Sequence, residues 1–294
     1  MSKHTPYRLL FLLLLLPLFS FSQKPFTFVF MTDIHIMPER NAEKGFRQAI
    51  KTINKEKPDF VITGGDLIYD ALRVNYPRAD SLYNIYTSAI SGLNMPVYNT
   101  IGNHEYFAIY PEAGADTANP LAGNHLFEQR VGPTCQSFIY NGWKFFLLNS
   151  VQISGSRNYY GTIDSAQIAW IRKELAATDT NTPIILVTHI PFRTVFNQVA
   201  DSAAAAPDSI GIILNANEVL ALFDRYNLKL VLQGHQHYYE EIHVGHTWFV
   251  TAGSVAGSWW RGSYMGVPEG YLLLHAYKNE VSWEYKSYGW VVPK

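Results

Sequence analysis

An α/β fold of two mixed β-sheets packed face to face, with helices outside, is predicted by three observations. Short runs of β-branched and aromatic residues alternate with stripes of helical period, the pattern of buried strands joined through helices. Five of those runs contain no Pro or Gly, and each leads within a few residues to Asp, Asn or His. From Thr247 onward the pattern changes to further strands without helices, and no internal repeat is visible.

Phe26–Phe30 reads as the first strand and leads into Asp33-Ile34-His35. Asn41 to Lys57 then places Phe46, Ala49, Ile50 and Ile53 on one face of a helix. Asp59–Ile62 leads into Gly65-Asp66, and Leu82, Ile85, Tyr86, Ala89 and Ile90 repeat the helical stripe. Val97–Ile101 leads into Gly102-Asn103-His104-Glu105. Ser137 to Tyr140, Asn141-Gly142 and Trp143 to Leu148 form the strongest hairpin signal in the chain. Asp164 to Gln167 resembles a capping box for a helix through Leu175, and Asn215 to Glu218 does the same for one ending near Tyr226. Between them Ile184–Val187 leads into His189, and beyond them Leu228–Leu232 leads into Gly234-His235-Gln236-His237. Tyr110 to Asn124 and Asp201 to Gly211 gather Pro, Gly, Ala, Asn and Asp and read as loops beside a cleft.

Open α/β sheets bind ligands beyond the carboxyl ends of their strands, so these five ends are expected to converge on one site. Asp33, His35, Asp66, Asn103, His189, His235 and His237 offer oxygen and imidazole donors without a thiolate. That set suits Mn, Fe, Zn or Ni and is too rich in imidazole for a Ca or Mg cage. Seven donors exceed the needs of one small ion and suit two if one carboxylate is shared.

Asp-x-His, Gly-Asp, Gly-Asn-His-Glu, a His before Pro, and Gly-His-x-His, in this order, resemble the calcineurin-like metallophosphoesterase superfamily. The resemblance covers the chain from Phe26 onward and implies a four-layer sandwich and two divalent or trivalent transition-metal ions. It implies Asp33, His35 and His237 on the first metal, Asn103, His189 and His235 on the second, and Asp66 bridging. It further implies hydrolysis of a phosphoric ester by a metal-bridging hydroxide, with His104 as general acid beside the leaving group. Gly253 to Gly262 with Gly266 to Tyr271 resembles one group of exported bacterial members. Tyr69 matches the Gly-Asp-x-x-Tyr block of purple acid phosphatases, whose Tyr binds ferric iron, but that group lacks a His where this chain has His35. Tyr69 is therefore expected to pack or hydrogen-bond behind the ligands, and the class to lie nearer bacterial cyclic-nucleotide and related phosphodiesterases. A purple-acid-type phosphomonoesterase is the alternative, and a catalytically silent binding protein of the same fold the third reading; the intact motif set argues against the last.

Lys3 and Arg8, the apolar stretch Leu9 to Leu18 and the small residues before Gln23 read as a signal peptide, residues 1–22, with cleavage near Ser22 and residues 23–294 as one phosphoesterase domain. The expected location is periplasmic or secreted, with no membrane-spanning segment in the mature chain. Loss of Lys3 and Arg8 takes Lys and Arg from 23 to 21 against 24 Asp and Glu, a slightly acidic protein without a basic cluster. A nucleic-acid polymer is thus not the expected partner; a small-molecule or lipid-linked phosphoester is. Cys135 stands alone, so no intrachain disulfide forms.

Substrate contacts are less sharply marked. Arg193 and Arg261 are candidate phosphate clamps, because guanidinium pairs bidentately with phosphate, with an ordinary surface role as the competing reading. Trp259 and Trp260 are either a stacking platform or core filler. His125 sits in the insert after Gly-Asn-His-Glu, where contact with substrate is the lesser expectation, and His243 and His246 read as hairpin or surface histidines.

Overall fold

The computed structural model describes residues 24–114 and 118–293, so the expected leader lies outside the described residues. One sheet has five strands: β1 (Phe26–Met31), β2 (Phe60–Gly64), β3 (Val97–Thr100), β12 (Gly270–Tyr277) and β13 (Glu280–Ser287), in the order β13-β12-β1-β2-β3. The other has six: β4 (Gln136–Tyr140), β5 (Trp143–Leu147), β8 (Pro183–Val187), β9 (Asn227–Gln233), β10 (Glu240–Val244) and β11 (Thr247–Thr251), in the order β10-β11-β9-β8-β5-β4. The six-stranded sheet has a parallel centre, β11-β9-β8-β5, and antiparallel margins; in the five-stranded sheet β1, β2 and β3 run parallel and β12 and β13 add an antiparallel margin on the β1 side only. A small hairpin, β6 (Val151–Ile153) with β7 (Tyr159–Gly161), stands apart.

Strand alternation divides the core into two. Phe26, Phe28, Phe30, Phe60 and Ile62 face Phe145, Leu147, Ile185, Val187, Leu230 and Leu232 between the sheets. Val29, Met31, Val61, Phe146, Ile184 and Leu186 point the other way, into the apolar layer that the helices cover. Both faces of these strands are buried, which is why the runs are continuously apolar. Phe28 lies 5.1 Å from Phe60 with nearly parallel rings and 5.5 Å from Phe145 at a right angle, tying one sheet to the other.

The outer layers come from α1 (Ala42–Glu56), α2 (Tyr76–Ile90) and α4 (Ser165–Ala176), with the shorter α3 (His125–Arg130), α5 (Phe196–Ala200) and α6 (Ala216–Ala221). Helix α1 buries Phe46, Ala49, Ile50 and Ile53, the stripe its spacing requires. The hairpin turn has Asn141 at φ 45° and Gly142 at φ 81°, the geometry for which Asn-Gly is selected. Asp164 caps α4 by accepting from the Gln167 N–H at 2.8 Å, and the Gln167 side chain donates to Asp164 Oδ2 at 3.2 Å while also exchanging hydrogen bonds with the backbone of Asn149. Two expectations at α6 fail: the helix stops at Ala221, short of Tyr226, and Asn215 does not cap it. The Asn215 carboxamide instead accepts from Thr162 and Ile163, where a tertiary tie outweighs the local cap. Among the described residues no helix is long and apolar enough to cross a membrane.

Candidate metal centre

The carboxyl ends of β1, β2, β8 and β9, with the turn after β3, bring all seven expected donors together. Asp33, His35 and His237 form one group with donor atoms within 4.8 Å of one another, and Asp66, His189 and His235 form a second. The Asn103 side-chain oxygen joins the second group, 3.0 Å from His189 Nε2. Asp66 reaches both: Oδ1 is 3.3 Å from His189 Nε2, and Oδ2 is 3.6 Å from His35 Nε2.

Glycines let the chain come this close. A Cβ on Gly102 would stand 2.3 Å from Asp66 Oδ1, and one on Gly234 would stand 2.2 Å from Thr32 Oγ1. Glu105 then fixes the Asp66 loop. Its buried carboxylate accepts from the N–H groups of Gly102, Asp66, Leu67 and Ile68 at 2.7–3.1 Å. Burial and the Asp66 charge push Glu105 up to about 8, against the pull of those backbone donors. Its place in the Gly-Asn-His-Glu block was legible, but its hold on a loop nearly forty residues earlier was not.

Ring orientations are set from behind. His189 Nδ1 lies 2.8 Å from the Gly64 carbonyl and His237 Nδ1 lies 2.7 Å from that of Gly257, which leaves each Nε2 facing the site. His35 Nε2 approaches His237 Nε2 to 2.9 Å, and His235 Nδ1 approaches His189 Nε2 to 3.2 Å. Asp33 Oδ1 is buried without an aligned hydrogen bond, its neighbour being His237 Nε2 at 3.3 Å. Donors about 2.1 Å from a shared ion stand about 3 Å apart, so these crowded nitrogens and that oxygen suit metal ions. Burial, the largest single effect, raises Asp33, but the contact and charge of His237 together with the charge of His189 bring it down to about 2; burial also opposes the charge on His189, yet Asp66 carries it up to about 9. His235 falls to about 4 through burial and the charge of His189.

His104 differs from the seven. Its ring is 19 % exposed, with Nε2 3.8 Å from Asp66 Oδ2 and Nδ1 3.9 Å from Asp70 Oδ1. A third possible donor group links it with His35 and Asp66, but its partial exposure opens it toward the cleft. Sequence reasoning passed over Asp70, together with Arg73, which pairs with Asp70 at 3.5 Å and covers Tyr110 at 4.3 Å. It also passed over Tyr159, whose ring lies 6.2 Å from His235. Tyr110 belongs to the first expected loop, and the second is tied to the site by Gln236, which donates to the Gly211 carbonyl at 3.0 Å.

The expected substrate contacts separate. The Arg193 guanidinium is engaged by the Phe192 carbonyl and Asn217, and it lines a cavity with Phe223, Phe249 and His246. Arg261 is exposed and lines a different cavity with Arg40, Val292 and Pro293. Neither is placed as a clamp, because each guanidinium belongs to a surface recess built by other elements. Trp260 is 1 % exposed, packs on Gly45 of α1 and meets Trp290 edge-on, so it is core filler. Trp259 alone stands at the centre, 4.5 Å from His237. Tyr69 lies beneath the Arg40 guanidinium at 5.6 Å. His125 pairs with Glu128 on α3, while His243 stacks on Trp248 at the exposed β10–β11 hairpin and His246 occupies its turn.

The calcineurin-like phosphoesterase model matches residues 26–239, and the chain belongs to that family. A Rhodopseudomonas palustris protein described as a probable cyclic nucleotide phosphodiesterase is 27% identical over 195 residues, 62% of this chain and 64% of that protein, so the match spans just under two thirds of its length. A dimetal phosphatase from Danio rerio has the same fold, with a TM-score of 0.63 at 15% identity, covering 90% of this chain and 96% of the other. So does the Plasmodium protein GAP50, the anchor in the inner membrane complex, with a TM-score of 0.56 at 16% identity over 90% of this chain and 85% of its own.

Proposed function

We propose that this protein is an exported metal-dependent phosphodiesterase whose centre is held by Asp33, His35 and His237 on one side, Asn103, His189 and His235 on the other, and Asp66 between them. The observation that carries the reading is the Asp66 carboxylate, with one oxygen toward each histidine group and His104 beside it. Two ions bound there would replace the protons that carboxylates hold on His189 and His237, acidify a water and neutralise phosphate oxygens. Asp66 fixes the spacing of the two groups, and Glu105 fixes Asp66. His104, reaching the cleft with Nε2 on the Asp66 side and Nδ1 on the Asp70 side, holds the proton that the departing alkoxide takes, a task worth roughly 100- to 10,000-fold.

Diesters are favoured over monoesters on charge. A monoester dianion calls for a fixed cation beyond the metals; Arg193 is engaged by Asn217, Arg261 is exposed in a separate recess, and Arg73 is paired with Asp70. The Rhodopseudomonas relative makes cyclic nucleotides the first diesters to try. On one metal-loaded sample, kcat/KM should be higher for bis-p-nitrophenyl phosphate than for p-nitrophenyl phosphate. His104→Ala should keep both ions and lose rate most on esters with poor leaving groups. Preference for the monoester would overturn the diesterase reading, and metal loss in His104→Ala would overturn the general-acid role.

A further inference from the structure

Trp259 and Trp260 follow Gly257 and Ser258 in a turn, and both lie in left-handed backbone, at φ 50° and 67°. A bulky residue there is an outlier, and two in succession cost on the order of 2 kcal/mol or more. The surroundings hold the turn against that cost. The Trp260 indole N–H lies 3.1 Å from the carbonyl oxygens of both Ile34 and His35, and Arg40 donates to the Trp259 carbonyl at 3.1 Å. Trp260 supplies the packing. What remains unexplained by packing is the half-buried Trp259 ring, set 4.5 Å from His237 and 5.9 Å from His35. Backbone strain that delivers one side chain to a centre points to function.

We propose that Trp259 and Tyr264 form a subsite that stacks a flat ring, such as a nucleobase, carried on the substituent of the bound phosphoester. This rests on the diesterase reading for the position of the phosphate. Tyr264 stands 6.2 Å from Trp259 with the rings at 83°, and 5.9 Å from His237. The two rings make a corner, one offering a face and the other an edge, as aromatic pairs do. Phe196 of α5 extends the wall, 6.5 Å from Tyr264 with rings 23° apart. Exposed Val195, Val199 and Met265 near these rings in sequence would also accept an alkyl chain, but the groups lying against the ligand histidines are aromatic rings.

Calorimetry on the manganese-loaded full chain separates the cases with three ligands: AMP, ribose 5-phosphate, which is the same phosphate and sugar without the base, and octyl phosphate. Stacking on an aromatic side chain is worth about 1–3 kcal/mol per base, or roughly 5- to 150-fold in Kd. AMP should therefore bind at least about 5-fold tighter than ribose 5-phosphate. Trp259→Ala should erase that difference while metal content and ribose 5-phosphate binding hold, and Trp259→Phe should retain most of it. Equal affinity for the two ligands in the unaltered protein, or equal weakening of both in Trp259→Ala and Trp259→Phe, overturns the subsite. Octyl phosphate binding as tightly as AMP, with the same dependence on Trp259, overturns the flat-ring specificity. AMP binding as described by a protein that cleaves no diester would leave the subsite standing and remove the diesterase reading.

Discussion

The interior of the sandwich and the rim where its strands end are built on opposite principles. Between the sheets every residue sits in ordinary extended backbone, side chains alternate, and Phe28, Phe60 and Phe145 interlock without a polar atom. At the rim, Asp33, His35, Asp66, His235 and His237 all have positive φ, between 44° and 73°. Five of the seven proposed ligands thus occupy a conformation that costs a non-glycine residue about 1 kcal/mol or more. The rim also buries two carboxylates and a set of imidazoles whose charges require one another. The apolar sandwich supplies the stability that lets such a rim persist, and the rim supplies the chemistry.

Asp66→Asn should have the largest effect on the rim. Because its carboxylate faces both histidine groups, one substitution should weaken retention of both ions and lower activity by at least about 100-fold, whereas His189→Ala should chiefly release one. Elemental analysis after gel filtration reads this directly. Two ions retained in Asp66→Asn would mean that the groups are independent and the bridge is wrong.

The interior should answer in stability instead. Phe145→Ala removes the ring that meets Phe28 and Phe138 and should cost about 3–5 kcal/mol, lowering Tm by on the order of 10 °C. The kcat of the folded fraction should not change. A large fall in kcat with Tm preserved would show that the two regions are not separable in this way.

That division also explains what could be read from the chain. Strand runs, the α1 stripe and the Asn141-Gly142 hairpin were legible because local propensity and final structure agree. The seven donors were legible because each sits in a short motif at a strand end. Asn215 was misread because its side chain ties Thr162 and Ile163 rather than its own helix. Trp259 and Trp260 could not be told apart, since adjacent residues in left-handed backbone send their rings to different places, one to His237 and one to Gly45. Asp70 and Arg73 carry no motif, and only the packing of the turn after β2 against Gly102 to Glu105 brings them to His104.

The smallest effect tests whether left-handed backbone is costly here at all. Lys57 closes α1 at φ 53° and ψ 48°, is exposed, and lies outside the metal centre. Lys57→Gly should relieve about 1–2 kcal/mol of strain, lose about 0.5–1 kcal/mol to the greater freedom of glycine in the unfolded chain, and give up about 0.3 kcal/mol of favourable charge at the helix end. The net gain should be about 0.5 kcal/mol, a rise in Tm of 1–2 °C at most, with metal content and activity unchanged. His235→Gly is the matching change at the rim: the metal-free protein should be no less stable than the unaltered one, but the Tm gain on adding metal should shrink. If Lys57→Gly instead lowers Tm by several degrees, left-handed backbone carries little strain in this chain. The stability difference between interior and rim would then have to be sought in the buried charges alone.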